Sequence, residues 1–495
     1  MYTAHASSMH ELVLHGGRVI DPDSGTDGIF DIGIDRGTIS AVSVEPLDGH
    51  RVLDVSGRVV APGFIDMHSH CFGIAGQRLQ ALDGVTTALE LEGGVHPVGR
   101  AYERAAIEGR PVNYGYSASW AAARMHVMAD VTTTGHPADV LFNMGVPAWQ
   151  AEANTAEVGR ILALLEEDLS DGALGIGVLV GYAPRVGPSE YVEVARLAAT
   201  RGVPTYTHAR ELVEQDPDTP IDGAEEIVRA AGETGAHMHY CHVNSTSLRH
   251  LDRVHGLVER ARSLGSRIST EAYPYGSGMT GIGAAFLEPD LLDRRDITPF
   301  AVQHLVSGHR FTSAADLRAA RADGTGGLVF VHFLEEDDPT ARDLMTRGLV
   351  FEDTAIASDA FEPLWRTSTY DDSRWPLPAD VVTHPRTAGT FSRSTRTLWR
   401  ETGALSLMEV IRRASLLPAQ ILSPSVPDMA RKGRVQVGAD ADIVVFDAAT
   451  VTDRATYTDT IAPSTGFDHV LVNGVEIVSD GEIRTDRLPG KPVRA

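Results

Sequence analysis

Between residues 64 and 356 the chain alternates short apolar segments with helical patterns, and this alternation restricts the fold more than any other feature. The apolar segments start near Phe64, Thr86, Pro111, Ala173, Val203, Ala236, Arg267 and Thr354. One intervening helix is marked by the stripe Val158, Ile161, Leu162, Leu165 and Leu169, with Asn154 and Glu157 as its N-terminal cap pair. Ser406 and Glu409 cap another before Val410, Ile411 and Leu416. Eight strands alternating with helices predict an α/β protein, a distorted (β/α)8 TIM barrel. The seventh and eighth strands lie far apart in sequence, so about 277–345 holds an insertion over the barrel mouth.

Both ends of the chain read differently. Glu11–Leu14, Gly16-Gly17 and Arg18–Ile20 suggest a hairpin, and Asp31–Ile34 and Thr38–Val42 flank the turn Asp35-Arg36-Gly37. Near the C-terminus, Ile443–Phe446 is a strand, and Val470–Val472, Asn473-Gly474, Val475–Val478 carry a strong hairpin signal. Two β-rich ends predict one small β-sandwich domain formed from both termini. Its parts are 1–61 and 433–495, and the barrel domain occupies 62–432.

Charge narrows the function classes. With 43 Lys+Arg against 67 Asp+Glu the net charge is 43 − 67 = −24, which repels phosphate backbones and anionic lipid surfaces. Nucleic-acid and membrane partners are therefore not expected, and a small-molecule substrate is. No run of about 18 apolar residues suggests a membrane span. Two cysteines, Cys71 and Cys241, are too few for a disulfide framework and fit a reducing, cytoplasmic setting. Whether the chain forms a homo-oligomer is open.

The chemistry concentrates at strand ends. In Phe64-Ile65-Asp66-Met67-His68-Ser69-His70, residues two apart share a face, so Asp66, His68 and His70 are expected to point together into the barrel. Two imidazoles at the end of a first barrel strand can grip one divalent metal. His208, His242 and Asp359 close three further strands, at the face where barrel enzymes build their sites. His239 competes with His242 but has the opposite parity. His237 and His239 are then expected to face the helix layer as hydrogen-bonded structural residues.

With these residues in place, the chain resembles the amidohydrolase superfamily, and within it the N-acyl-D-amino-acid deacylases (D-aminoacylases). The resemblance is carried by Ala61–His70, Gly84-Val85-Thr86-Thr87, Tyr206–Glu211, Tyr240–Ser245, Tyr273-Pro274-Tyr275, Ser358-Asp359, His384-Pro385-Arg386 with Gly389-Thr390-Phe391, and Gly438–Asp442. It implies a zinc-dependent hydrolase with one or two Zn²⁺ per chain. His68 and His70 would hold one ion with Asp359, and His208 and His242 the other. Asp359 would act as general base, then acid, toward a metal-activated water attacking an N-acyl amide. Arg386, Tyr273 and Tyr182 match substrate-binding positions of the family.

Two departures stand out. The family's cysteine ligand after Gly-Val-Thr-Thr is absent, and the stretch reads Ala88-Leu89-Glu90-Leu91-Glu92. Related enzymes bridge two metals with a carbamylated lysine, but the only lysines are Lys432 and Lys491, outside the assigned strands. A glutamate bridge replaces it, Glu92 first and Glu90 second. Asn244 stands where the family has a lysine that helps to bind the substrate carboxylate, and Arg185 and Arg210 are cations that could compensate. The leading expectation is hydrolysis of N-acyl-D-amino acids or a related small N-acyl compound. The alternative is a cyclic-amide hydrolase of the hydantoinase or dihydroorotase kind. A non-catalytic scaffold of the same fold is disfavoured, because all four histidines and the aspartate are present.

Overall fold

The structure is a computed structural model that describes residues 9–322 and 327–495. Residues 1–8 and 323–326, the latter inside the expected insertion, lie outside it. Eight parallel strands form the barrel: β1 (Phe64–Asp66), β2 (Val85–Val95), β3 (Asn113–Ser119), β4 (Ile176–Val178), β5 (Pro204–Thr207), β6 (His237–Tyr240), β7 (Ile268–Ala272) and β8 (Thr354–Ile356). They follow one another in sequence order around the sheet. The ring closes at its C-terminal rim, where Ala360–Phe361 pairs in parallel with Ser69–His70. Helices cover the outside, among them Thr155–Ser170, where Asn154 and Glu157 form a reciprocal capping box.

The barrel interior is packed rather than hollow. Ile65, Leu89, Leu91, Tyr206, Cys241 and Ala355 belong to one buried apolar cluster and leave the open space at the C-terminal mouth. Between β7 and β8 a small antiparallel sheet, Ser277–Gly281, Val302–His304 and Leu328–His332, stands over that mouth.

The two termini form a nine-stranded mixed sheet. Gly16-Gly17 does not turn the chain there, contrary to the expected hairpin. Residues His10–Asp21 run as one strand whose register against Thr26–Asp35 shifts between Leu14 and Gly17. Gly16, at φ +72°, absorbs a β-bulge, a conformation glycine adopts without steric cost. The Asn473-Gly474 turn does form, both residues at positive φ, and joins Phe467–Val472 to Val475–Ser479.

Asp442, from the Gly438–Asp442 motif, ties sheet to barrel. Its carboxylate accepts from Lys432 Nζ (2.6 Å), from Asn113 Nδ2 on β3 (2.9 Å) and from the Asn473 amide (2.7 Å). One of the chain's two lysines, at the end of the short helix Pro427–Arg431, is thus a buried structural cation against the terminal sheet.

At the sheet's C-terminal hairpin, Glu476 meets His469 Nδ1 at 2.7 Å and is bonded by Arg51. Burial raises the Glu476 pKa, but His469 and Arg51 outweigh it and pull the group down to about 2. A carboxylate with a depressed folded pKa stabilises fully above its unfolded value of about 4.5, and the gain is lost as pH falls toward 2. Replacing Glu476 with Gln should lower Tm at pH 7 and shrink the Tm difference between pH 7 and pH 4. An undiminished pH dependence in calorimetry would contradict this.

Candidate active site

Four histidines and two carboxylates meet at the barrel mouth. Glu92 lies at their centre. Its Oε1 is 2.7 Å from His242 Nε2 and 3.0 Å from His208 Nδ1, and its Oε2 is 3.3 Å from His68 Nε2 and 3.7 Å from His70 Nε2. Asp359 Oδ1 is 3.5 Å from both His68 Nε2 and His70 Nε2.

Local backbone features place these groups. The regular β2–β3 register ends at Glu90 and resumes only at Val95, so the Leu91–Gly94 segment leaves the ladder and arcs over the mouth. That path requires glycine at 177 on β4. A Cβ there would lie 2.4 Å from the carbonyl oxygens of both Leu91 and Glu92. His242 and Asp359 follow their strands with φ of +33° and +51°, turns that swing both side chains into the centre.

The rings are held from behind. His68 Nδ1 bonds Glu271, His70 Nδ1 lies 2.8 Å from Glu90, and His242 Nδ1 lies 3.0 Å from Ser245 Oγ. Each support fixes which ring nitrogen faces the cluster, as outer partners do around metal-bound imidazoles. Glu90 also accepts the amides of Gly93 and Gly94 at 3.2 Å, so it buttresses the arc and stands outside the central group.

Two expectations from strand parity require correction. Asp66 does not join His68 and His70. Its carboxylate turns away, accepting from Ser358, from Gln80 Nε2 (2.7 Å) and from the His68 amide (3.2 Å). Regular β1 geometry ends at Asp66, so the two-residue repeat does not extend to the histidines. His239 does not face the helix layer. Its Nε2 is 3.0 Å from Glu271, whose other oxygen holds His68, and its Nδ1 shares Ser269 with His237. Because β6 ends at Tyr240 and His242 adopts positive φ, both His239 and His242 point inward.

Glu271 is a supporting residue that motif and spacing do not single out. The signal for it is a lone carboxylate in the buried strand Ile-Ser-Thr-Glu-Ala, which burial permits only with partners.

Electrostatics bind the cluster together. Burial raises the Glu92 pKa, yet His68, His242 and His208 outweigh it and hold the group well below the usual carboxylate range. Burial lowers that of His68, but Glu92, Glu271 and Asp359 reverse the balance and raise it well above the ordinary value. Asp359 is likewise kept low despite its burial, chiefly by Arg386. A divalent cation fits this donor set: imidazole nitrogens and carboxylate oxygens suit zinc, and of three overlapping triads with the required proximity among the described residues, His68–Glu92–His242, His68–His70–Asp359 and His68–Cys241–Glu271, the first two lie in the cluster.

The remaining expected residues sit as follows. Arg386 is fully buried over the Tyr273 ring (4.8 Å), with Nη2 2.8 Å from Asp359 Oδ1, and none of its guanidinium nitrogens has a hydrogen bond of good geometry. Tyr182 packs on His208 (4.6 Å) and bonds Thr280 (2.9 Å). Asn244 donates to the Tyr273 carbonyl (3.0 Å) and keeps a buried, unpaired Oδ1. Arg210 is engaged elsewhere, with Nε and Nη2 on Glu226 at 2.7 and 3.1 Å, so it does not take over for the missing lysine. Above the cluster opens a cavity of about 1300 Å³, lined in part by Tyr182, His208, Tyr273 and Asp359.

The architecture and the metal-ready cluster define a barrel hydrolase of the metal-dependent kind. The chain belongs to the amidohydrolase family, whose pattern matches residues 51–478. It is 29% identical to an N-acyl-D-glutamate deacylase of Alcaligenes xylosoxydans xylosoxydans, over 94% of this chain and 93% of that one. It is 27% identical to a D-aminoacylase of the same organism, over 95% of both. The fold matches the crystal structure of an N-acyl-D-glutamate deacylase from Bordetella bronchiseptica complexed with zinc and a phosphonate inhibitor. That match has a TM-score of 0.76 at 23% identity, and covers 99% of this chain and 100% of that one. No helix among the described residues is long and apolar enough to cross a membrane.

Zinc content measured by mass spectrometry tests the geometry. Glu92→Gln should abolish or halve the bound zinc, whereas Glu90→Gln should weaken affinity only about 10–100-fold. Gly177→Ala should behave like Glu92→Gln, because the added methyl displaces the Leu91–Glu92 backbone. Full zinc occupancy in both Glu92→Gln and Gly177→Ala would refute this placement.

Proposed function

We propose that the protein hydrolyses the amide bond of N-acyl-D-amino acids. The observation that carries this reading is the convergence of His68, His70, His208 and His242 on Glu92, with Asp359 beside a buried Arg386. His68, His70 and Asp359 would hold one zinc, His208 and His242 a second, and Glu92 would bridge them with one oxygen toward each pair. When bound, zinc polarises the amide carbonyl and lowers the pKa of water toward about 7.

The chain's own groups supply the remainder. Asp359, held ionised by Arg386, accepts a proton on its carboxylate from the attacking water and returns it to the departing amide nitrogen. Arg386 has guanidinium donors to spare and a rigid seat on Tyr273, which suits two-point binding of the substrate α-carboxylate. Tyr273 walls the mouth beneath that carboxylate, and Asn244 braces Tyr273 through its carbonyl. Glu271, Glu90 and Ser245 keep the imidazoles aimed. The D configuration rests on likeness to the deacylases. A cyclic-amide specificity has less support, since Lys432, the lysine nearest in kind to the bridge of those enzymes, is spent on Asp442.

Amine release from paired N-acetyl-D- and N-acetyl-L-amino acids by zinc-loaded protein tests the reading, with hydrolysis expected for D members only. Asp359→Asn should cut kcat by about 10²–10⁴-fold with zinc still bound by the remaining ligands. Hydrolysis of hydantoin or dihydroorotate without action on linear substrates would overturn the proposal.

A further inference from the structure

Proline at 385 decides how the helix Arg386–Ser394 begins. Arg386 is its first residue, and its backbone N–H has no carbonyl of the same helix to meet. His384 Nδ1 accepts that N–H at 3.1 Å. Thr387 and Ala388 donate to the carbonyls of His384 (3.0 Å) and Pro385 (3.1 Å), so the first turn closes on the His-Pro pair. The backbone from which Arg386 sends out its side chain is therefore seated on the His384 ring. That seat matters, because the guanidinium itself has no hydrogen bond of good geometry. Apart from its charge contact with Asp359, its aim depends on the Tyr273 ring and on the point from which it starts.

The His384 ring is in turn held by a directed series of bonds. Burial, reinforced by the charge of Arg386, keeps the His384 pKa well below its ordinary value, so the ring is neutral. A neutral imidazole that accepts at Nδ1 carries its proton on Nε2. Nε2 then donates to Ser277 Oγ (2.9 Å), Ser277 to Tyr457 Oη (2.6 Å), and Tyr457 to Glu336 Oε1 (2.6 Å). Each hydroxyl accepts one bond and donates one, so the series runs one way and ends on an anion. Burial raises the Glu336 pKa, but Arg393 and the Tyr457 hydroxyl outweigh it and hold the group low. The Gly276 amide also donates to Glu336 (2.9 Å).

These residues come from four separate parts of the chain. Ser277 opens the strand Ser277–Gly281 of the small sheet over the mouth, and Glu336 follows that sheet's strand Leu328–His332. His384 precedes the helix. Tyr457 lies between Ile443–Phe446 and Phe467–Val472 of the terminal sheet, 180 residues from Ser277. Asp453 ties the Tyr457 segment down by accepting from Arg396 Nε (2.9 Å), just beyond the helix that Arg386 begins. The Tyr457 ring stands 5.6 Å from His384 and 5.7 Å from Phe330. Ser277 and His384 are fully buried. A Cβ at Gly278 would lie 3.6 Å from Tyr273 Oη and 3.8 Å from Arg386 Nη1, so the strand bearing Ser277 runs beside the guanidinium it helps to aim.

We infer that Tyr457 is a positioning residue for substrate binding: through Ser277 and His384 it fixes the backbone from which Arg386 reaches the substrate carboxylate. A segment of the terminal sheet and the insertion over the mouth thereby set one contact inside the barrel. The inference rests on the deacylase reading, in which Arg386 binds that carboxylate.

Tyr457→Phe keeps the ring and removes the hydroxyl. In zinc-loaded protein, KM for an N-acetyl-D-amino acid that wild type hydrolyses should rise about tenfold, with kcat changed by less than about threefold. The carboxamide of the same compound, which offers Arg386 no carboxylate, should bind variant and wild type alike, read as KM where it is a substrate and as Ki where it is not. Ser277→Ala cuts the same series and should raise KM equally, and the double variant should be no worse than either single one. A Tyr457→Phe enzyme with wild-type KM, or one that loses carboxylate and carboxamide binding in equal measure, would overturn the inference and leave the deacylase reading standing. If Tyr457→Phe fails to fold, Ser277→Ala decides by the same split. Wild-type protein without action on any N-acyl-D-amino acid would remove the reading and the inference together.

Discussion

The meeting of one carboxylate, Glu92, with four imidazoles is the interaction on which the site depends. Glu92 is buried, and its charge is tolerable only because ring nitrogens surround both oxygens. The backbone must leave the β ladder to deliver it, and the space for that detour is a missing side chain at Gly177. The placement of this carboxylate thus takes two ordinary residues, Glu92 on β2 and Gly177 on β4.

Around this centre, buried polar groups are paired in layers. Glu271 links His239 to His68, Glu90 links the Gly93-Gly94 arc to His70, and Asp66 links β1 to the Ser358 turn that presents Asp359. Such networks are worth keeping only when complete, since a half-satisfied one leaves buried charge uncompensated. The conspicuous incomplete member is Arg386, whose guanidinium nitrogens beside Asp359 have no hydrogen bond of good geometry.

Much of the architecture is legible in the sequence because hydrophobic periodicity is a local property. The strand starts expected near Phe64, Thr86, Ala236, Arg267 and Thr354 lie within one residue of the observed ones. The Asn473-Gly474 hairpin and the Asn154–Glu157 cap form for equally local reasons. The bulge at Gly16-Gly17, where a turn is expected, shows the limit of local signals. Two glycines permit either a turn or a bulge, and pairing of His10–His15 with Gly49–Asp54 selects the extended strand.

The sequence by itself determined the barrel, the terminal sheet and the inventory of histidines and acids at strand ends, because residue type and spacing suffice for these. Tertiary structure decided which of them converge. Parity counting fails at Asp66 and His239, since it assumes that the strand stays regular as far as His70 and His242, whereas the chain leaves β geometry at the rim, at His242 through positive φ. The folded chain also decided the engagement of Arg210, whose partner Glu226 lies 16 residues away in sequence. Charge is written in composition, but whether a charge is free or spent depends on distances that only the folded chain establishes.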